Sequence, residues 1–352
     1  MAKKNSALIL DCSQPIFVGI DVHKKSWSIT LIHRDQILER CTLPGEITVL
    51  GKFLSRYSQF KIYSVYEACF IGFRLHFDLE SIGIENRVVP VNKIPQISGN
   101  KVKTDKRDSL KLATFLSKGL LPSIYIPDAE QIELRQILRT REQFKRDKKR
   151  TFNRLKSLLI QYNVCFNEPR LTKKLVHFLS NLSLGSTIQL LVDSYVQEIQ
   201  TLETQIKKLN EEYLKIDQQE DYSKNYHLLL SIPGVGSLTS ASLNYEIGNW
   251  SRFKNERQIS AYVGLTPSEY SSGEHTRRGR ITGQGNPTLR SLLIEASWML
   301  IQKDLTMRNF FTRLKYQTGS AKKAIVAVAR KLICRMYAMV KNQQEYQLPS
   351  IV

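Results

Sequence analysis

The sequence predicts a three-part chain: an α/β domain over residues 1–127, a long coiled-coil-like helical pair over 128–222, and a mostly α-helical domain over 223–352. Three observations carry that prediction. Between Phe17 and Pro127, short apolar runs of period two alternate with amphipathic stretches of period near 3.6. From Ala129 to about Tyr162 the chain has no Pro or Gly and keeps the helical period. Beyond Tyr226 the helical pattern continues, broken by a segment rich in Gly and Arg.

Taken in order, Phe17–Val22 is a short apolar run ending in polar groups, Trp27–Ile32 alternates with period two, and Cys41–Leu43 closes a third strand. A helix is expected over 47–57, a buried strand over 62–66, a helix over 71–82 and a strand over 87–91. Three hairpin-linked strands followed by helix-strand-helix-strand imply a mixed sheet covered by helices. A further helix is expected from Asp108 to Lys118. Leu190, Leu191, Tyr195, Ile199, Leu202, Ile206 and Leu209 recur at three- and four-residue spacing in a second long helix over 187–216, which would pair with the first. The polar run 217–225 reads as a linker.

Charge narrows the function. The chain has 352 residues, with 52 Lys+Arg against 32 Asp+Glu, a net +20 that attracts polyanions. A hydrophobic fraction of 42% is too high for a disordered basic tail. No stretch approaches the roughly 20 apolar residues of a membrane span. The apolar run near the start, Ala7 to Leu10, is shorter than a secretory core. The five cysteines, Cys12, Cys41, Cys69, Cys165 and Cys334, are scattered and never in CxxC spacing, which argues against a disulfide framework or cysteine zinc site. The expectation is a soluble, cytoplasmic, basic protein, with no membrane partner, that meets nucleic acid.

The acids carry the chemistry. Asp21 ends the first strand in GIDVHK and Glu67 ends a later one in YEACFIG. Asp105 and Asp108, in KTDKRDSLKLA, share one face at the start of a helix. Strand ends of an open α/β sheet deliver side chains into one crevice, and four carboxylates converging there would hold two Mg²⁺ ions, or Mn²⁺ instead, able to clamp both oxygens of a phosphodiester. A lone acid at a strand end is ordinarily a turn or cap residue, and a DxxD pair ordinarily a solvated helix start. Lys101, Lys103, Lys106 and Arg107 would hold the phosphates of the strand being cut, or simply form an exposed loop. Between Arg139 and Lys156 nine basic residues face two acidic ones, which makes Arg139, Arg146, Lys149 and Arg150 the expected backbone-binding face.

In the C-terminal part, SIPGVG (231–236) opening a helix reads as a helix-hairpin-helix-like element. There Gly234 and Gly236 would let backbone N–H groups approach a phosphate; a plain interhelical turn has the same pattern. Farther on, GLTPSEYSSGEHTRRGRITGQGNPTLRSLL (264–293) places the adjacent Ser271 and Ser272 a few residues before Arg277, Arg278 and Arg280. Arginines neutralise phosphate while a hydroxyl attacks phosphorus, though a flexible basic loop touching RNA or DNA backbone accounts for the same residues. His23 beside Asp21, His275, and the aromatics Tyr262 and Tyr270 have weaker functional readings; Trp250 and Trp298 are most simply core.

GIDVHK, then YEA, then VKTDKRD, followed by GLTPxxYxSG, a basic stretch, a Gly-Asn pair and LRxLL, resembles the insertion-sequence transposases described as bridge-RNA-guided recombinases. The two signatures span nearly the whole chain in the right order. The resemblance implies a RuvC-like (RNase H-like) N-terminal domain whose tetrad falls on Asp21, Glu67, Asp105 and Asp108. It also implies a C-terminal domain whose nucleophile, forming a phosphoserine link to DNA, falls on Ser272, with Ser271 adjacent. Cys69 departs from the glycine common in relatives. Also implied are double-stranded donor and target DNA, a structured noncoding guide (bridge) RNA, and a tetramer built as a dimer of dimers. Two rival readings fit the same residues: a RuvC-like nuclease or junction resolvase that uses metal-activated water, and a non-catalytic nucleic-acid-binding protein.

Overall fold

The computed structural model describes residues 11–94, 105–215, 220–272 and 275–348; the side chains of 105, 106, 220, 221, 269–272 and 275–278 lie outside that description. Backbone contacts divide the chain into two compact units, 1–126 and 127–352.

The first unit is a mixed five-stranded sheet built from β1 (Ile16–Val22), β2 (Ser26–His33), β3 (Gln36–Pro44), β4 (Ile62–Glu67) and β5 (Glu85–Val89), in the order β3-β2-β1-β4-β5. β1 to β3 form an antiparallel meander, whereas β4 lies parallel to both β1 and β5. A two-residue turn with Arg34 and Asp35 both at positive φ joins β2 to β3, the backbone twist that tight hairpins require.

Strand alternation sorts the side chains between two layers. Ile16, Val18, Ile20, Trp27, Ile29, Leu31 and Tyr66 pack with Leu50 and Leu54 of α1 (Ile47–Leu54) and Leu75 and Leu79 of α2 (Arg74–Ser81). On the opposite face Val65 and Val89 pack with Leu112 and Leu116 of α3 (Asp105–Ser117). The helix expected over 47–57 stops at Leu54 and tightens into a 3-10 turn, and the one expected from residue 71 begins at Arg74.

The second unit opens with α4 (Ala129–Gln161), capped by the Asp128 side chain, which accepts a hydrogen bond from Gln131 N at 2.7 Å. After α5 (Lys173–Ser180), α6 (Ser186–Tyr213) returns antiparallel to α4. Arg141 bonds Asn210, Lys148 Nζ reaches Glu203 Oε1 at 3.1 Å, and the Thr151 hydroxyl reaches Glu198 Oε1 at 3.0 Å, so α6 numbers fall as α4 numbers rise. Phe152, Leu155 and Leu159 pack with Leu175, Leu179, Val192, Val196 and Ile199 at the α5 end of the pair.

Then come α7 (Glu220–Leu230), α8 (Ser237–Ile247), α9 (Glu256–Tyr262), a hairpin of β6 (Pro267–Ser272) and β7 (His275–Ile281), α10 (Pro287–Lys303), α11 (Leu305–Thr318) and α12 (Ala321–Asn342). The polar run read as a linker contributes the first turns of α7, because Tyr222 and Tyr226, one helical turn apart, are buried against Tyr213 and Tyr245. That cluster also takes in Leu134 and Leu138 of α4, which ties the long pair to the C-terminal helices. Trp250 is buried, but Trp298 is 41% exposed, its ring edge against Phe311. Among the described residues no helix is long and apolar enough to cross a membrane.

Candidate catalytic carboxylates and the serine hairpin

β1 and β4 are adjacent and parallel, with Ile20 in register with Tyr66, so Asp21 and Glu67 leave neighbouring strand ends on the same side of the sheet. It is the α3 side. Gly19, two residues before Asp21, faces that helix so closely that a Cβ would run into the Ser109 carbonyl oxygen and stand 2.5 Å from Ala113 N. The Ser109 hydroxyl hydrogen-bonds the Thr30 hydroxyl at 2.9 Å in the same buried seam. α3 runs back along the sheet from there, with its C-terminal half over the Phe17, Tyr63 and Val65 cluster. Its opening turn, with Asp105 and Asp108, therefore lies toward the strand ends that carry Asp21 and Glu67.

Asp108 is half-buried and Arg107 exposed. Asp21 is 19% exposed, and Nε2 of the half-exposed His23 stands 3.3 Å from its Oδ2. The Cys69 thiol lies in the same field: burial pushes it up, and the charges of Glu67 and Asp21 push it further. These carboxylates are hard oxygen donors of the kind that suit Mg²⁺ or Mn²⁺. Among the described residues, no three His, Cys, Asp or Glu side chains are grouped as a metal site. The side chain of Asp105 lies outside the described residues, as do Lys101, Lys103 and the side chain of Lys106.

In the second unit the segment read as a basic loop is a β-hairpin. Ser272, the last residue of β6, pairs with His275, and Ser271 with Thr276. The sequence hid these strands because their residues are polar on both faces and show no apolar alternation. The base of the hairpin is tied down: Leu265 N donates to Ser260 O at 2.9 Å, Thr282 N to Thr266 O at 3.1 Å, and Asn286 N to Tyr262 O at 3.1 Å. The side chains of Ser271, Ser272, Tyr270, His275, Arg277 and Arg278 lie outside the described residues; Arg280 is exposed.

Other candidates have structural explanations. Gly234, at φ +91°, rests on α10, where a Cβ would stand 2.6 Å from Met299 Cβ; Gly236 caps α8 with open space beside it. Arg139 reaches Glu246 Oε1 at 3.4 Å, and Glu246 is 2% exposed, shared with buried Arg135. Lys145, Lys148 and Arg150 pair with Glu142, Glu203 and Asp147, so acids on the helix's own turns and on α6 lace much of the basic run. Arg146 and Lys149 are exposed. The Tyr262 hydroxyl donates to Glu246 O at 2.7 Å, and burial pushes its pKa up, a packing role. The buried Glu246 and its two arginines were not anticipated; two basic residues four apart, aimed at a helix end 110 residues later, leave no periodic signal.

Comparison with known proteins meets this geometry at both ends. Residues 18–164 match the DEDD-type transposase domain of the IS110 family, and residues 226–312 match the domain described as Transposase IS116/IS110/IS902 family. The chain belongs to the IS110/IS116 transposase family. The transposase for insertion sequence element IS1533 of Leptospira borgpetersenii is 24% identical, over 94% of this chain and 96% of that protein. The transposase for insertion sequence element IS1111A of Coxiella burnetii is 24% identical, over 80% of this chain and 79% of that one. The pilin gene-inverting protein of Moraxella bovis is 25% identical, over 70% and 69%. The α/β unit of this transposase is thus the RuvC-like part, a class that typically depends on divalent metal.

Proposed function

We propose that this transposase cuts and exchanges DNA strands through Asp21, Glu67, Asp105 and Asp108 acting with Ser272 as a covalent nucleophile, to insert and excise a mobile element. The observation that carries the reading is the seating of α3 on Gly19, which aims the turn with Asp105 and Asp108 at the strand ends of Asp21 and Glu67. These carboxylates would hold divalent metal, which would supply charge neutralisation at the scissile phosphate. His23 orients the Asp21 carboxylate.

In the proposed step the Ser272 Oγ–P bond forms as the bridging P–O bond to the leaving deoxyribose breaks, and the hydroxyl proton passes to the leaving oxygen. One phosphodiester is exchanged for one phosphoserine ester, so rejoining by the reverse attack needs no external energy source. Relatives named as transposases and as a pilin gene-inverting protein support strand exchange over simple degradation. The remainder of the proposal follows the resemblance: Mg²⁺ as the ion, a structured noncoding RNA as guide, and a tetramer in which the long helical pair supplies assembly contacts.

The test is to incubate the protein with the noncoding RNA flanking its gene, Mg²⁺ and labelled target DNA, and to look for a protein–DNA adduct on denaturing gels. Wild type and Ser271→Ala should form it; Ser272→Ala should not. Cleavage that survives in Ser272→Ala would establish the hydrolytic, resolvase-like reading instead.

A further inference from the structure

Beside the serine hairpin lies an open cleft of about 760 Å³ that no sequence motif marks. One wall is β7, through Gly279, Arg280 and Ile281; the other is the start of α12, through Ser320, Lys322, Lys323 and Arg330. The floor is Leu265, Pro267, Val326 and Ala327. Among the described residues four cations and no acid line it, and none of the four is in an ion pair. This is unlike α4, whose basic run is largely laced.

The placement of the lysines is informative. Lys322 and Lys323 are exposed in the first turn of a 22-residue helix, where the helix dipole is positive and acids are favoured, yet that turn holds no acid. Two cations at the positive end of a helix repel it and each other, and a bound anion relieves both. The cleft is too large for a single ion, and among its described lining residues there is no aromatic ring on which bases could stack. A cationic rim over an aliphatic floor suits the phosphates and sugars of a polynucleotide backbone, read without regard to sequence.

We infer that the cleft between β7 and the start of α12 holds the sugar–phosphate backbone of the DNA strand handed to the hairpin, with Arg280, Lys322, Lys323 and Arg330 on its phosphates. The choice of DNA over RNA rests on the reading of Ser272 as nucleophile, because β7 is the partner strand of the one that ends in that serine. The cleft positions the strand and takes no part in bond breaking.

The test measures equilibrium binding of the full-length protein to a labelled DNA duplex of arbitrary sequence, and to an RNA hairpin, over a series of salt concentrations. In Lys322→Gln/Lys323→Gln, DNA affinity should fall about tenfold and the slope of log K against log salt should shrink by about 2, whatever the DNA sequence. RNA binding should be unchanged. Arg280→Gln, on the opposite wall, should reduce the DNA slope by about 1. Lys207→Gln/Lys208→Gln, at exposed positions on α6, is the control and should change neither DNA affinity nor slope. An unchanged DNA slope in both cleft variants, or a loss confined to RNA, overturns the assignment. Adduct formation is scored separately. A wild type that makes no adduct while the DNA slope still depends on the cleft sinks the serine mechanism and leaves the cleft; an adduct with an unchanged slope does the reverse.

Discussion

Gly19 and Ser109 meet backbone to backbone, with no room for a single carbon between β1 and the carbonyl of buried Ser109 on α3. The contact fixes how far α3 stands from the strand that carries Asp21. Gly19→Ala must push α3 outward, an overpacking that costs about 1–3 kcal/mol. The expected result is a lower melting temperature and cleavage reduced far beyond what the stability loss explains, while a Gly51→Ala control, which meets only the Ile82 side chain at 3.5 Å, keeps activity.

Asp21→Asn, Glu67→Gln and Asp108→Asn each remove one carboxylate from the crevice. Each should lower strand cleavage at least about a hundredfold with an unchanged melting curve, and a chelator should do the same to wild type. His23→Ala, which removes the imidazole 3.3 Å from Asp21 Oδ2, should cost about tenfold and lose less as Mg²⁺ is raised. Titrating Mg²⁺ against cleavage rate in each variant separates the two behaviours.

Arg139 and Lys149 sit on one basic helix with different duties. Arg139 answers a buried glutamate, so Arg139→Ala should lower stability by about 1 kcal/mol, with little change in the salt dependence of DNA binding. Lys149 is exposed, and Lys149→Ala should leave the melting curve unchanged and reduce the salt slope by about 1. Thermal melts and binding titrations on the same two preparations decide it.

Asp304 is fully buried, caps α11 by accepting from Met307 N at 2.8 Å, and receives Arg335 at 3.1 Å and the Tyr346 hydroxyl. Burial alone would raise its carboxyl; the bonds from Tyr346 and Met307 and the Arg335 charge outweigh it and hold the pKa below the ordinary aspartate value. A depressed carboxyl stabilises the fold at every pH above its unfolded value, and that stability drains away as pH falls through the folded one. Melting temperature should therefore drop below about pH 4. Asp304→Asn should cost about 2–3 kcal/mol at neutral pH and flatten that acid limb.

Much of the sheet was legible because its two faces obey a period of two: Ile16, Val18 and Ile20 announce one core, and Gly19 and Asp21 the other side. The long helices were legible from their 3.6 period. The β6–β7 hairpin was not, since SEYSS and HTRRGR have no apolar face to alternate. The acids were readable as strand-end and helix-start residues, but the seating of α3 on β1 at Gly19 is a tertiary fact that a glycine alone does not announce. The basic run on α4 was readable as charge and not as partnership, because Glu246 and Glu203 lie far along the chain.

α4 has 33 residues and neither Gly nor Pro, so at 1.5 Å per residue it is an unbroken rod about 50 Å long. Its first turns are embedded with Tyr213 and Tyr245, its last with Leu175 and Val192. A rod clamped at both ends and continuous between them bends little and has no joint. Spin labels at Gln136 and Arg154, both exposed, should hold one narrow distance whatever nucleic acid is present. Force applied at the α5 end then arrives at the tyrosine cluster undiminished, and the second unit behaves mechanically as a beam rather than as beads on a string.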